Sequence, residues 1–199
     1  MNAEHWNQRY AGESYFYGEE PNEFLANHVD LIPPGPVLCL AEGEGRNAVF
    51  LASRGHEVEA VDGSSVGIGK AKLLAARHRV TLTTHVRDLA DFVITPGHWS
   101  GIIAIFAHLP VLLRRKIHAA VVGGLRPGGI YLYEAYTPAQ LAHGTGGPKD
   151  PALLVQLADL KTELSGLDIE IAREIERDVR EGIAHTGRAA VVQVAVRRP

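Results

Sequence analysis

Cysteine is almost absent from this sequence of 199 residues, because Cys39 is the only one. A single cysteine cannot form a disulfide within the chain, and it lies in an apolar run, so we expect a reduced, cytoplasmic setting. The sequence also lacks an uninterrupted apolar stretch of about 20 residues, and it has no early basic segment followed by an apolar one. We therefore expect neither a membrane span nor a signal peptide.

Positive charge is scarce compared with what a nucleic-acid-binding protein needs. The formal net charge is −3, and no basic stripe is available to displace counterions from phosphates. The short basic run Arg114-Arg115-Lys116 is typical of a solvated helix face, and we expect Lys116 and His118 to lie on that surface. The charge pattern predicts no nucleic-acid partner.

Two kinds of chemical motif are missing as well. The ten histidines show neither HxH nor HExxH spacing, so no metal site is predicted. No GxSxG stretch is present, so a hydrolase with that nucleophile elbow finds no support. The chemistry must be sought in the glycine-rich segment that the chain does contain.

The order of the apolar periods predicts an α/β fold. Short apolar or β-branched runs alternate with helical segments, which predicts a parallel sheet with helices on both faces. The predicted strands are Val37–Ala41, Glu57–Val61, Thr81–Val86, Gly101–Phe106 and Ile130–Tyr136, followed by two longer strand-like runs, Asp168–Val179 and Arg188–Val196. The predicted helices are Glu23–Leu31, Asn47–Arg54, a helix from Ser64 or Ser65 to His78, Pro110–Val122 and Ala152–Leu164.

A glycine loop joins the first predicted strand to the helix that follows it. Its spacing is Gly43-x-Gly45-x-x-Ala48, and Asp62 ends the next strand about 20 positions further on. The first glycine permits a tight turn, the second lets the backbone approach a ligand, and the acid can hold two ribose hydroxyls. The pattern predicts either a dinucleotide such as NAD or S-adenosylmethionine, and the alternative is a tight turn without a ligand.

Two carboxylates in the same loop bear on that choice. A diphosphate would lie against the helix N-terminus, close to Glu42 and Glu44. At about 4 Å the repulsion would be on the order of 1 kcal/mol in water and about 4 kcal/mol at an effective dielectric constant of 20. The sulfonium and ammonium of S-adenosylmethionine are cations, so the acids favour this ligand. Asp62 also argues against NADP, since it would repel a 2′-phosphate.

These residues resemble those of the Rossmann-type (class I) S-adenosylmethionine-dependent methyltransferases, and in particular the small single-domain group that includes tellurite-resistance-like methyltransferases. The resemblance covers Pro36–Tyr136 and extends to the last 30 residues. It implies a doubly wound, mostly parallel seven-stranded sheet with helices on both faces and a C-terminal antiparallel hairpin. It also implies one domain: an N-terminal cap at 1–34, a cofactor-binding core at 36–136, and an acceptor-side segment with the terminal hairpin at 137–199.

The resemblance also assigns residues to the cofactor. The stretch "LAEGEGRNA" corresponds to the family's glycine loop, "VEAVD" to its ribose-binding acid, "VRDLADF" to the segment at the adenine amino group, and "IIAIFAHLP" to the exit of the fourth strand. The implied cofactor-binding residues are Ala41, Glu42, Gly43, Gly45 and Asn47 in the loop, Asp62 at the ribose, Gly63, Ser64, Asp88 and Leu89 near the adenine, Phe106 and Ala107 beside the methionine portion, and Tyr17 or Tyr15 closing over the cofactor.

The chain departs from the family pattern at three positions. Cys39 stands where many members have Asp, Ala41 where they have a third glycine, and Gly101 where an Asp often opens the fourth strand. Glu42 is close enough in sequence to take the cofactor's ammonium group instead.

Candidate acceptor-side residues lie outside the glycine loop. His108 follows the fourth strand and is a candidate base or acceptor contact, with a structural loop histidine as the alternative; His143 and His185 are weaker candidates. The run Gly144–Asp150 is either a mobile lid or an exposed connector. The aromatic side chains of the N-terminal cap either exclude water from the ligand or anchor the extension: Trp6, Tyr10, Tyr15, Phe16 and Tyr17.

The predicted function is in-line methyl transfer from S-adenosylmethionine to a small-molecule acceptor, in which the protein mainly positions the reactants. The resemblance suggests a chalcogen oxyanion or a thiol as the acceptor. The alternatives are a single-domain NAD-dependent oxidoreductase and a non-catalytic regulator that binds S-adenosylmethionine. The oligomeric state is not encoded in any pattern that we recognise.

Overall fold

A seven-stranded sheet organises the chain in the computed structural model, which describes residues 3–183 and 185–199. The strand order is β3-β2-β1-β4-β5-β7-β6; β1 to β5 run parallel, and β7 lies antiparallel between β5 and β6. This confirms the predicted fold class, including the C-terminal antiparallel hairpin. The strands are β1 Pro36–Leu40, β2 Glu57–Asp62, β3 Thr83–Val86, β4 Trp99–Ile105, β5 Leu125–Tyr136, β6 Asp168–Glu181 and β7 His185–Arg197.

Helices cover both faces of the sheet. The α-helices are α1 Ala3–Tyr10, α2 Glu23–His28, α3 Arg46–Ser53, α4 Ser65–His78, α5 Val111–Gly124 and α6 Leu157–Glu163. Short 3₁₀ helices occupy Val29–Leu31, Pro138–Ala142 and Pro151–Leu153. Side chains of α2 and α3 pack on one face of the inner strands, and side chains of α5 and α6 pack on the other. The inner strands therefore have no face left for water, and every residue of β4 is buried.

The helix ends follow the expected capping chemistry. Asn22 caps α2, where its side-chain oxygen accepts a hydrogen bond from the backbone N–H of Leu25 at 3.0 Å. Ser64 caps α4 in the same way, because its hydroxyl accepts from the N–H of Gly67 at 3.0 Å. These caps set where the two helices begin and thus how the loops before them run.

Two helix predictions differ from the structure. Helix α1 forms within the segment whose pattern is irregular. The helix predicted from Ala152 to Leu164 is divided, because the backbone N–H of Val155 bonds to the carbonyl of Tyr136 at 2.9 Å and pulls the chain out of helical geometry. Only Leu157–Glu163 is α-helical there.

The basic run on α5 is only partly the solvated face that the sequence predicts. Arg115 and Lys116 are exposed, but Arg114 and His118 are only 2% and 1% exposed. Both point at Glu163 of α6, with Arg114 Nη2 and His118 Nδ1 at 2.8 and 2.7 Å from its oxygens. Although burial opposes it, these hydrogen bonds lower the pKa of Glu163 to about 2. Ion pairing across two helices therefore makes the surface prediction for His118 wrong.

The described residues contain neither a helix that could span a membrane nor a cluster of side chains that could bind a metal. Among residues 3–183 and 185–199, no helix has the length and apolar character needed to cross a membrane. The same part of the chain holds no group of three His, Cys, Asp or Glu side chains arranged to bind a metal.

Candidate cofactor site

A cavity of about 830 Å³ opens at the carboxyl ends of the parallel strands. Ala41 follows β1, Asp62 ends β2 and Phe106 follows β4, and all three line the cavity. Ligands of open α/β sheets bind at this edge, where neighbouring strands lead into helices on opposite faces. The fold therefore brings residues from three separate loops to one concave site.

Most of the residues predicted to bind the cofactor lie in the cavity wall. Those in the wall are Tyr17, Ala41, Glu42, Asn47, Asp62, Gly63, Asp88, Leu89, Phe106 and Ala107, together with the candidate acceptor contact His108. The wall does not include Gly43, Gly45 or Ser64, which shape the loops behind it. The individual ligand contacts of all these residues remain predictions.

The glycines of the loop are required by geometry. Gly43 and Gly45 have φ values of +62° and +93°, in the left-handed region that favours glycine. A Cβ on Gly43 would lie 2.7 Å from the hydroxyl oxygen of Tyr10, and one on Gly45 would lie 2.5 Å from the Cβ of Ala71. The glycines thus let the N-terminal helix and α4 approach the loop closely.

Two residues of the cavity wall hold a strained backbone. Ala41 and Phe106 have φ values of +51° and +53°, which residues with a Cβ adopt uncommonly. Such strain clusters at ligand sites, and both residues face the same cavity.

Glu42 occupies the N-terminus of α3. Its Oε1 accepts hydrogen bonds from the backbone N–H groups of Asn47 and Ala48 at 2.9 and 2.8 Å. Burial raises the pKa of Glu42 to about 7, although these bonds and the charge of Arg46 act in the opposite direction. The carboxylate thus takes the N–H groups that an anionic ligand would need at this helix end.

Glu44 has a different role from its neighbour. Its Oε1 pairs with Lys70 Nζ at 2.5 Å, and its Oε2 accepts from the backbone N–H of Phe16 at 2.7 Å. The carboxylate joins the N-terminal segment to α4, and its charge is balanced within the protein. Glu44 lines the cavity as well, but its charge is already paired with Lys70. The argument for a cationic group on the ligand therefore depends mainly on Glu42.

Asp62 holds the loops after β1 and β2 by hydrogen bonds, and it also lines the cavity. Its Oδ2 accepts from the N–H of Gly43 at 2.9 Å, and its Oδ1 accepts from the N–H of Ser64 at 2.7 Å. Burial raises the pKa of Asp62. A carboxylate has about four acceptor positions, so two remain for hydroxyl groups of a ligand.

Aromatic residues of the N-terminal segment play both of the roles that the sequence left open: some line the cavity, and one attaches the segment to α4. Trp6, Tyr10, Phe16 and Tyr17 line the cavity. Tyr15 does not; its hydroxyl donates to the carbonyl of Lys70 at 2.9 Å and fixes the segment to α4.

The sequence reading missed two cationic residues in this wall. Arg9 donates from Nη1 to the Tyr17 hydroxyl at 3.0 Å, and Arg46 pairs with Glu181 at 2.6 Å. Arg46 lies within the glycine loop, but its partner Glu181 is distant in sequence, and no motif marks Arg9.

Aromatic and imidazole rings form the other end of the cavity. The ring of Phe106 lies 4.7 Å from that of Tyr136 and 4.4 Å from that of His185, and the ring of Tyr17 lies 4.4 Å from that of His185. We call Tyr17, Phe106, His108, Tyr136 and His185 the ring cluster. Gly146–Asp150 borders the same end, whereas His143 lies outside the wall and faces Glu176 at 3.5 Å.

The two histidines of the ring cluster differ in their bonding. His108 stacks on Tyr136 and its Nε2 accepts from the backbone N–H of Tyr136 at 3.4 Å; burial lowers its pKa to about 4. His185 is 6% exposed, and its Nδ1 has no hydrogen-bond partner in the part of the chain that the structure describes. The role predicted for His108 remains a prediction.

Comparison with known proteins agrees with this site. Residues 37–129 match the family described as "Methyltransferase domain". A 2-heptyl-1-hydroxyquinolin-4(1H)-one methyltransferase from Mycobacteroides abscessus is 32% identical over 117 residues, which are 57% of this chain and 52% of that protein. The chain thus matches about half the length of this curated relative.

Solved structures with the same fold include TehB from Haemophilus influenzae, with a TM-score of 0.73 and 16% identity over 99% of this chain and 67% of that one. Another is magnesium protoporphyrin IX methyltransferase from Synechocystis with bound S-adenosylhomocysteine, with a TM-score of 0.64 and 17% identity over 88% of this chain and 78% of that one. At these identities the likeness shows the fold alone, and the tellurite-resistance-like subgroup stays a prediction. Residues 37–129 thus match a methyltransferase domain, and the chain has the fold of the Rossmann-type, class I methyltransferases.

Proposed function

We propose that the protein transfers the methyl group of S-adenosylmethionine to a small-molecule acceptor by in-line displacement. The observation that carries this proposal is the place of Glu42, whose carboxylate occupies the N-terminus of α3 inside the cavity wall. The family match over residues 37–129 and the fold support the same reaction class.

Glu42 argues directly against the dinucleotide alternative. A diphosphate at this loop would need the N–H groups of Asn47 and Ala48, which already bond to Glu42. It would also lie close to a buried carboxylate, with repulsion of about 4 kcal/mol at 4 Å and an effective dielectric constant of 20. S-adenosylmethionine carries a sulfonium, an ammonium and one carboxylate, and its two cationic groups gain from the carboxylate of Glu42.

The residues in the wall fit the parts of S-adenosylmethionine. We assign Asp62 to the ribose hydroxyls, Asp88 and Leu89 to the adenine, and Phe106 with Ala107 to the methionine portion. The bound ligand would supply an activated methyl group on a sulfonium. Because that charge is lost during transfer, the protein's main contribution is to hold the reactants in line, which can lower a barrier by roughly 7–11 kcal/mol.

The acceptor in this proposal is small. A cavity of about 830 Å³ lies within the usual range of about 300–1,000 Å³ for small-molecule sites, and part of it is needed for the cofactor. The Mycobacteroides abscessus relative is named for a small heteroaromatic acceptor. The net charge of −3 gives no electrostatic support for a nucleic acid. The buried, free Cys39 fits our proposal of a reduced, cytoplasmic setting.

Calorimetry and a transfer assay test the proposal together. We expect S-adenosylhomocysteine to bind and NAD and NADP to bind much more weakly or not at all. Release of S-adenosylhomocysteine should then be measured with 2-heptyl-1-hydroxyquinolin-4(1H)-one, a thiol and tellurite as separate acceptors. Tighter binding of NAD would support the oxidoreductase alternative, and binding without transfer to any acceptor would support the regulator.

A further inference from the structure

His185 is a buried imidazole with an unsatisfied polar atom beside a cavity. It is 6% exposed, it lines the cavity, and its Nδ1 has no hydrogen-bond partner among residues 3–183 and 185–199. A buried polar atom left without a partner costs about 1–3 kcal/mol, and such groups in native proteins call for an explanation. A ligand that bonds to this imidazole would supply one.

The surroundings of His185 indicate the shape of that ligand. Its ring lies 4.4 Å from the rings of Tyr17 and Phe106 and 5.5 Å from that of Tyr136. Tyr136 is buried behind the wall, but Tyr17 and Phe106 line the cavity together with His185, so this part of the wall is mainly aromatic with few polar atoms. This end of the cavity suits a flat aromatic molecule with one polar group directed at the imidazole.

His108, the other histidine of the ring cluster, is less available. Its Nε2 accepts a hydrogen bond from the backbone N–H of Tyr136 at 3.4 Å, and the backbone of Phe106 bonds to the ring as well. A group held by the main chain in this way cannot easily accept a further proton. Of the two histidines, His185 is therefore the one with a ring nitrogen, Nδ1, that lacks a hydrogen-bond partner in the described part of the chain.

Resting on the proposed function, we propose that His185 is a catalytic base that takes the proton of a hydroxylated aromatic acceptor. The hydroxyl oxygen attacks the methyl carbon, so an O–C bond forms while the S–C bond breaks. The electron pair of the broken bond stays on sulfur, which becomes neutral. The hydroxyl proton passes to a ring nitrogen of His185, so the positive charge lost by sulfur appears on the imidazolium. The acceptor class is a phenol or an N-hydroxy heteroaromatic compound.

The charge state of His185 agrees with this role. Burial lowers the pKa of His185 well below its usual value, and the nearby Arg46, His108, Arg177 and Arg9 lower it further. The imidazole is therefore uncharged in the free protein and keeps a lone pair for a proton, although the same burial and positive charges oppose the imidazolium that the transfer produces. General base catalysis by a positioned side chain contributes typically about 10²–10⁴-fold to the rate.

The test compares two phenols that differ in how readily they lose the proton. Methyl transfer to 4-methoxyphenol and 4-nitrophenol is measured at a mildly alkaline pH at which only 4-nitrophenol is largely ionised. The proteins are the wild type, His185→Ala, His185→Gln and His78→Gln; His78 is an exposed histidine at the end of α4 and serves as a matched control. Binding of S-adenosylhomocysteine is measured for each.

We expect His185→Ala to lower kcat/KM for 4-methoxyphenol by about 10²–10⁴-fold and for 4-nitrophenol by less than about tenfold. His185→Gln should resemble His185→Ala, since it forms hydrogen bonds but accepts no proton, and added imidazole should restore part of the activity of His185→Ala. His78→Gln should match the wild type, and S-adenosylhomocysteine should bind all four proteins equally.

Other results would overturn the proposal. An equal loss for both phenols would show that His185 only supports the shape of the cavity. A wild type that binds S-adenosylhomocysteine and methylates a thiol or tellurite but neither phenol would remove the acceptor class while leaving the proposed function intact. A wild type that fails to bind S-adenosylhomocysteine would remove both.

Discussion

The two ends of the cavity are built on different principles. At the acidic end, backbone N–H groups of the loop after β1, of α3 and of the loop after β2 orient the carboxylates of Glu42 and Asp62. At the aromatic end, the ring cluster comes from segments far apart in the chain, and the imidazole of His185 has an unsatisfied nitrogen. The acidic end is organised without a ligand, whereas the aromatic end has polar capacity that only a ligand would use.

That difference assigns a separate task to each end. A preorganised acidic end suits the cofactor, which is the same in every reaction cycle, because the charges that bind it are already oriented. A set of rings with one free polar group suits the variable partner, since flat apolar walls select for shape and the imidazole selects for a proton donor. Variants at the acidic end should change cofactor affinity, and variants at the aromatic end should change acceptor turnover.

The largest effect on the acidic end is expected from Asp62→Ala. The change removes the proposed charge-assisted hydrogen bonds to the ribose; the loss of one such bond, worth about 1.5–3 kcal/mol, should lower the affinity for S-adenosylhomocysteine about 10- to 150-fold, and the loss of two should lower it further. Calorimetry measures it, with Asp91→Ala as the control because Asp91 is exposed. An unchanged affinity in Asp62→Ala would mean that the ribose lies elsewhere.

Two glycines of α4 test how closely the helix must approach the loop. A Cβ on Gly67 would lie 3.0 Å from the carbonyl oxygen of Gly43, whereas a Cβ on Gly69 would meet nothing within 4 Å. Gly67→Ala should lower the free energy of unfolding by about 1–3 kcal/mol through overpacking. Gly69→Ala should raise it by about 0.5–1 kcal/mol, since alanine favours a helix. Denaturant unfolding measures both, and similar changes in the two variants would contradict the close approach.

The titration of Glu42 gives the acidic end a pH dependence. Its pKa is raised to about 7 by burial, with Arg46 and Asp62 as the charged groups acting on it. Below pH 7 the free protein holds Glu42 protonated, so a ligand whose ammonium group pairs with Glu42 must displace that proton on binding. The affinity for S-adenosylhomocysteine should therefore fall about tenfold from pH 8 to pH 6.

Glu42→Gln should remove that slope. Glutamine keeps an oxygen acceptor for the N–H groups of Asn47 and Ala48 but carries no charge. The affinity of the variant should be nearly the same at both pH values and below that of the wild type at pH 8. Calorimetry at pH 6 and pH 8 measures this difference. If the affinity of the variant falls with pH as much as that of the wild type, Glu42 is not the source of the pH dependence.

The smallest effect is expected at Tyr17, a member of the ring cluster that also contacts Arg9 of the N-terminal segment. Tyr17→Phe keeps the ring against His185 and removes only the hydroxyl that accepts from Arg9 at 3.0 Å. One hydrogen bond is worth about 0.5–1.5 kcal/mol, so the affinity for S-adenosylhomocysteine should fall about 2- to 12-fold if Arg9 needs this bond to keep the N-terminal wall in place. A matched change at Tyr15, which anchors the same segment outside the cavity, should affect stability more than affinity.

The acidic end could be predicted from the sequence as a unit, whereas Tyr17, Phe106, His108 and His185 were predicted only as separate candidates and Tyr136 was not predicted. Gly43, Gly45 and Asp62 lie within about 20 residues of one another in a strand-loop-helix pattern, so their proximity follows from local structure. The pairing of β7 with β5 ends at Tyr136↔Val191, and β7 continues beyond the end of β5, paired only with β6, to His185, whose ring lies 5.5 Å from that of Tyr136. A register between distant strands depends on tertiary packing, and no short motif encodes it. The burial of Arg114 and His118 was missed for the same reason, since Glu163 lies on another helix.

The central claim is that the N-terminus of α3 is filled by Glu42 and therefore selects an adenosyl ligand with an ammonium group over a diphosphate. The most direct measurement is parallel calorimetric titration of the wild type with S-adenosylhomocysteine and with NAD at pH 8. The account predicts a clear binding isotherm with S-adenosylhomocysteine and an affinity for NAD that is at least about 100-fold weaker, which corresponds to about 2.7 kcal/mol. Equal or tighter binding of NAD would contradict it.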